Sequence, residues 1–359
     1  MINVTKPFLP PREVFNKYVD GIWQRNWLTN HGPLVNELEL KLKDYLKVPH
    51  LLFLNNGTIA LQIAIKALEL KGEVITTPFS YVATTSSIVW EGCQPVFVDI
   101  NPETFNIDSN KIEEAITPRT SGILATHVFG NPCEVEAIEK IAQKHGLRVI
   151  YDAAHCFGTT YKGQSIFRYG DISTTSFHAT KLFHTVEGGA VFTNQPELLK
   201  KMAYLRNFGH ETATSFTMVG INGKNSEFHA AMGLCVLNYI DEILDQRKKL
   251  FEYYSQALQN LRVERQLITS GTCYNYSYYP IVFESEAMLL KSVEELNKYQ
   301  IFPRRYFYPS LDTVNYIKPQ ICPVSRDIAP KILCLPLYHS ISFEEIDMVV
   351  RLLLRVQNN

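Results

Sequence analysis

Three short stretches of this chain hold the residue types that do chemistry. The first is Asn55-Asn56-Gly57-Thr58, between an apolar run (Leu51 to Leu54) and a helical pattern running from Ile59 to Leu68. Glycine permits a tight turn, and asparagine and threonine cap helices. The free amides and dipole of a helix that starts on Gly-Thr favour an anion, typically phosphate. The second is "VIYDAAH", where Asp152 ends an apolar strand beside two small residues and His155 follows. The third is "SFHATKLFHTVEGG", which carries Ser176, Lys181, His178, His184 and a closing pair of glycines. Each has an ordinary reading when taken alone: a helix cap, a turn-capping acid, a solvated lysine. His178 and His184 lack a third ligand at metal-site spacing, so no metal is expected. Neither G-x-G-x-x-G nor G-x-x-x-x-G-K-[ST] occurs, which leaves a dinucleotide or nucleoside-triphosphate cradle unsupported.

Together the three stretches fit one chemistry. A phosphate turn, an acid and a lysine at neighbouring strand ends are what pyridoxal phosphate needs. The lysine amine forms a Schiff base with its aldehyde, the carboxylate keeps the pyridine nitrogen protonated, and the helix N-terminus takes the phosphate. Tyr81, in "PFSYVATT", offers an aromatic face for the ring, and core packing is its equal alternative.

The elements that must position these residues alternate along the chain. Short apolar strands ("EVITTPFS", "PVFVDI", "SGILATHVFG", "LRVIYDAA", "DISTTSFH", "GAVFTN") are separated by helical patterns. Those helices include "VATTSSIVWEG", "DSNKIEEAI", "EVEAIEKIAQKHG" and "PELLKKMAYLRNFG". Non-alternating apolar strands between helices predict an α/β fold with a mostly parallel sheet covered on both faces. Ligands in such sheets sit at the carboxyl ends of the strands, where all three stretches fall. After Arg247 the pattern changes to a long amphipathic helix, a strand-like "YNYSYYPIVFE" and two further helices, read as a smaller α+β domain. The predicted organisation is an N-terminal segment (1–30) near the small domain, a large domain (31–247) and a small C-terminal domain (248–359).

Composition sets limits. With 359 residues, 46% hydrophobic, 20% charged and a net charge of −1, the chain reads as a globular protein of two domains. The charge balance argues against a nucleic-acid face, and no apolar run is long enough to span a bilayer. "MINVTKPFLPPREVF" lacks the pattern of a signal peptide, and seven scattered cysteines without a CxxC fit a reducing cytoplasm.

The ordered set "NNGTIAL", "PFSYVATTSSI", "PVFVDINPETFNID", "YDAAHCFG", "SFHATK", "EGGAVFTN", "LRNFG" and "GINGKNSEFHAAMG" resembles the sugar-nucleotide aminotransferases of the DegT/DnrJ/EryC1/StrS family, over essentially the whole chain. The resemblance implies a fold-type I pyridoxal-phosphate enzyme. It makes Lys181 the Schiff-base lysine and Asp152 the acid on the pyridine nitrogen. His155 lies beside the ring, Tyr81 stacks on it, and Gly57, Thr58 and Ser176 hold the phosphate. It further implies that Asn222 or Lys224 reaches the cofactor phosphate of the other subunit, which makes the enzyme a homodimer with shared active sites. "WLTNHGP", with Trp27, Thr29 and Asn30, lines the substrate pocket, and Tyr308, in "PRRYFYPS", is a further candidate for substrate contact beside Arg304 and Arg305. Some relatives carry His in place of the lysine and act as dehydratases, so Lys181 favours transamination. The N-terminal "VTKPFLPP", "WLTNHGP" and "SFHATKLFHTVEGGA" together are most similar to the members that aminate dTDP-4-keto-6-deoxyglucose at C4, which implies L-glutamate, the family's usual donor, and a product for O-antigen or another surface glycan. A 3-keto-sugar aminotransferase, a dehydratase and a non-catalytic protein of the same fold are the alternatives.

Overall fold

A computed structural model describes residues 1–358. Its centre is a seven-stranded sheet in the order His50–Leu54, Gly189–Thr193, Ile172–Ser176, Arg148–Asp152, Thr120–Thr126, Glu73–Thr76, Gln94–Phe97. All neighbours run parallel except Gly189–Thr193, which is antiparallel to both of its partners. Neighbouring side chains along a strand point to opposite faces. Leu51 and Phe53 enter one core, and Leu52 and Leu54 enter the other. Both faces are thus apolar, which is why the strands read as unbroken apolar runs.

One face is covered by the helices Gly57–Ala67 and Pro196–Arg206, through Ile63, Met202 and Leu205. The other is covered by Pro33–Leu46, Val135–His145 and Glu227–Leu237, through Leu38, Ile138 and Leu234. The segment "DSNKIEEAI" does not form the expected helix but two 3-10 turns, Ser109–Lys111 and Glu113–Ala115. Ser109 Oγ is tied to Glu134 at 2.6 Å and Ile112 is fully buried, which pins a segment too short to propagate an α-helix.

A second core gathers Leu250, Tyr254, Ile281, Leu289, Leu333 and Val349 around the antiparallel strands Val263–Glu264, Tyr279–Phe283 and Ile332–Leu335. The helix Ile240–Ala257 joins the two bodies: Ile240 and Ile243 belong to the large core, Leu250 and Tyr254 to the small one. Ile2 and Asn3 pair in parallel with Ile301 and Phe302, while Ile22 of the helix Arg12–Arg25 packs into the large core. Among the described residues, no helix is long and apolar enough to cross a membrane.

Candidate active site

At the carboxyl edge of the sheet lies a cleft of about 340 Å³. Gly57, Thr58, Tyr81, Asp152, His155, Ser176 and Lys181 all line it. Four separate segments bring them there: Tyr81 stands at the start of the helix Val82–Trp90, and the other three are placed each for a local reason.

The phosphate-type turn starts at Asn56, whose extended backbone and side-chain oxygen cap the helix Gly57–Ala67 by accepting the Ile59 N–H at 2.8 Å. Gly57 then passes Ser176 with no space for a side chain: a Cβ there would lie 2.9 Å from Ser176 Cβ. The second glycine of "EGG" does the same from the other side, since a Cβ on Gly189 would lie 2.5 Å from the Asn56 carbonyl. Helix N-terminus, Ser176 and the glycine pair thus close on one another around a small polar cradle.

Asp152 ends its strand between Thr126 and Thr174, its register partners on the two neighbouring strands. Its Oδ2 accepts the Thr84 hydroxyl at 2.7 Å and its Oδ1 accepts the Ala154 N–H at 3.1 Å. Burial pushes its pKa up, while Thr84, Ala154 and the Lys181 ammonium pull against that shift. His155 accepts the Phe129 N–H on Nδ1 at 3.2 Å. Burial drives its pKa well down, with the Lys181 charge adding to the effect, so the ring is neutral and carries its proton on Nε2.

Lys181 sits in the loop between Ile172–Ser176 and Gly189–Thr193. The loop is anchored by aromatic side chains: Phe183 stacks on Phe157 at 4.3 Å and meets Phe177 edge-on at 4.9 Å, all buried. Backbone bonds from Phe177 to Gly188 (2.7 Å) and from Ala179 to Val186 (2.8 Å) close it as a turn. With both phenylalanines directed inward, Lys181 is left partly buried at the cleft, where desolvation lowers its pKa against the opposing influence of Tyr306 and Asp152.

The two histidines of this loop separate. His178 lines the cleft and faces Glu187 at 3.5 Å. His184 is turned away, with its Nε2 2.7 Å from the Phe8 carbonyl and its Nδ1 accepting the Val186 N–H. No group of three or more His, Cys, Asp or Glu able to hold a metal occurs among the described residues.

Other expected residues lie outside this cleft. Asn55 binds the Asn222 carbonyl through its Nδ2, and Lys224 Nζ bonds Asn207 at 2.8 Å over the Phe208 ring. Trp27 donates to the Thr29 carbonyl at 2.6 Å, and Asn30 adopts a left-handed backbone in the same turn. Tyr308 is half exposed, its ring covered by the Arg305 guanidinium at 3.5 Å. In "PRRYFYPS" the two arginines differ: Arg305 is taken by Glu286 at 2.6 Å, whereas Arg304 lines the cleft with no ion pair among the described residues.

Several residues of the site carry no local signal in the sequence. Thr84 is one helical serine or threonine among several, and Asn225 links the Leu54 and Glu187 carbonyls, joining the first strand to the lysine loop. Tyr278, Tyr306 and Phe307, from the C-terminal third of the chain, wall the cleft, and Tyr278 and Phe307 pack with Phe79 and Phe129; only tertiary packing reveals them.

Lys181, the buried strand-end carboxylate of Asp152 and the helix N-terminus at Gly57 thus meet at one edge of a mixed α/β sheet, and the sequence profile gives the class. The chain belongs to the DegT/DnrJ/EryC1/StrS aminotransferase family, whose sequence profile matches residues 11–354. It is 46% identical over 358 residues to a dTDP-4-amino-4,6-dideoxy-D-glucose transaminase of Shigella dysenteriae, covering 97% of each chain. Its fold superposes on DesI, solved in the presence of its TDP-sugar product, with a TM-score of 0.93 and 32% identity over 99% of this chain and 93% of that one. Spr1654 from Streptococcus pneumoniae, solved in a PLP form, gives a TM-score of 0.92 at 25% identity over 99% of this chain and 98% of that one.

Proposed function

We propose that the protein moves the amino group of L-glutamate to the keto carbon of dTDP-4-keto-6-deoxy-D-glucose, giving dTDP-4-amino-4,6-dideoxyglucose and 2-oxoglutarate. The observation that carries this reading is the convergence of Lys181, Asp152 and the Gly57–Ser176 cradle on one cleft. The substrate rests on the 46% identity to the Shigella transaminase.

The residues fit pyridoxal phosphate. The Gly57–Ser176 approach leaves amides and a hydroxyl, not side-chain bulk, facing an anion. Asp152 keeps a free lone pair on each oxygen beyond its two bonds, ready for a ring N–H. When bound, the cofactor supplies the electron sink through which an amino group and a proton pass between two carbon skeletons. Gly57, Thr58 and Ser176 hold its phosphate, Asp152 accepts from its ring nitrogen, and Tyr81 and His155 border the ring. Lys181 would tether it, and its Nζ as a free amine would hold and move the proton. A lysine disfavoured as ammonium by burial suits that role. Arg304 gives the cleft a fixed positive charge for the anionic substrates.

Two features support a homodimer with shared sites. Asn222 and Lys224 lie outside the cleft of their own chain, and Trp23, Trp27 and Phe216 expose large apolar surfaces. In this reading one of the pair Asn222 and Lys224 reaches the partner's cofactor phosphate, and Trp27, Thr29 and Asn30 border the substrate there. Free thiols throughout fit a cytoplasmic enzyme supplying an amino sugar for O-antigen or another surface glycan. The test is incubation with L-glutamate and dTDP-4-keto-6-deoxyglucose, followed by mass and NMR analysis. A product aminated at C3, or a dehydrated one, would overturn the assignment.

A further inference from the structure

Thr84 does not line the cleft, yet its hydroxyl lies 2.7 Å from Asp152 Oδ2 and is completely buried. Ser80 Oγ lies 2.7 Å from Thr84 Oγ1, and Thr126 Oγ1 lies 3.0 Å from Ser80 Oγ; Ser80 and Thr126 themselves line the cleft. All three hydroxyls are buried, and they come from two elements: Ser80 and Thr84 at the start of the helix Val82–Trp90, and Thr126 at the end of the strand beside Asp152.

The donor order follows from chemistry. A carboxylate only accepts, so the single Thr84 proton goes to Asp152. Thr84 is then an acceptor toward Ser80, and Ser80, its proton committed, is an acceptor toward Thr126. The three O–H dipoles point the same way and end on Oδ2. In a low-dielectric interior such a chain strengthens link by link, and it favours the charged over the protonated acid. A protonated Asp152 offers Thr84 only an uncharged, weaker acceptor, or turns its own proton on Thr84 and forces the chain to reverse. The charged and titratable groups around Asp152 are Lys181 from the lysine loop and the Cys156 thiol of its own turn.

We infer that Thr84 is a positioning residue that holds Asp152 as a carboxylate through the proton chain Thr126–Ser80–Thr84. This rests on the proposed reading of Asp152 as partner of the cofactor ring nitrogen, and the tests separate the two. The first needs no cofactor: protein labelled with 13C at the aspartate carboxyl carbons is titrated by NMR, with the Asp152 signal identified by its loss in Asp152→Asn. Thr84→Val removes the hydroxyl at nearly constant shape and is expected to move the Asp152 midpoint to higher pH. Ser80→Ala moves it less, and Thr84→Ser leaves it at the wild-type position. An unmoved midpoint in Thr84→Val overturns the inference. So does an equal shift in Thr84→Ser, which would make the effect one of packing. The second uses pyridoxal phosphate labelled with 15N in the ring. Its nitrogen shift is that of the protonated ring in the wild type and in Thr84→Ser. In Thr84→Val the proton is lost at lower pH, and affinity falls about tenfold. An unprotonated ring in the wild type overturns the reading of Asp152, and with it the role of Thr84 toward the cofactor, while the cofactor-free titration still decides the chain itself.

Discussion

Gly57 and Ser176 stand at the limit of close packing: a side chain on Gly57 would place its Cβ 2.9 Å from Ser176 Cβ and 3.3 Å from Ser176 Cα. The backbone of the Asn56–Gly57 turn and the end of the strand Ile172–Ser176, two places along the sheet from His50–Leu54, therefore share one small cradle. Gly57→Ala is expected to force them apart at a cost of about 1–3 kcal/mol. Pyridoxal-phosphate affinity should drop roughly tenfold or more, since about 1.4 kcal/mol is a factor of ten. Equilibrium titration measures this, and unchanged affinity would refute the cradle.

Lys181→Ala removes the amine that the proposal assigns to tethering the cofactor. The wild-type protein should be yellow when loaded, and the variant should lose that visible band together with turnover. Retained transamination in Lys181→Ala would sink the assignment of the lysine.

Burial lowers the Lys181 pKa, so its free-amine form is available at lower pH than for an ordinary lysine. The rate of cofactor capture by the cofactor-free protein should rise with pH and level off below the range of an exposed lysine. Asp152 favours the ammonium form. Asp152→Asn should therefore move the plateau lower still, as stopped-flow absorbance would register.

Asp152 has the opposite sign as a stability term. Its folded pKa is raised, so the fold favours the protonated acid, and that stabilisation is present below the unfolded carboxyl range and lost as pH rises through the folded value. At neutral pH the cofactor-free protein bears the cost of a buried carboxylate. Asp152→Asn is expected to raise the Tm of the cofactor-free protein at neutral pH, by about 2 °C for each kcal/mol relieved, while abolishing turnover. A lowered Tm would contradict this account.

His184 ties the lysine loop to the N-terminal segment through Phe8, as a neutral ring whose pKa is lowered by burial. A depressed histidine contributes stability that is full above the unfolded value, near 6.5, and lost as pH falls through the folded one. His184→Ala should cost about 1 kcal/mol at pH 8, and that difference should shrink in acid. Thermal melts at two pH values check it.

The sequence by itself determined the strands, because faces buried on both sides demand unbroken apolar runs, and it determined where the chain turns. Asn56 and Asp152 are legible because each is a polar residue at or just past the end of such a run, where a parallel sheet exposes its chemistry; Lys181, in the loop after the polar strand Ile172–Ser176, stands out only beside them. The two histidines of "SFHATKLFHTVEGG" drew notice through composition alone. Tertiary packing decided that one faces the cleft and the other holds Phe8. It also decided what no local pattern carries. Ser80, Thr84 and Thr126 become one chain only when a helix start meets a strand 46 residues away in sequence. Arg304 is distinguished from Arg305 only by which of them finds Glu286. Periodicity records which face of an element is dry. Which polar side chains then meet across the gap depends on how the elements dock, and that is a property of the packed whole.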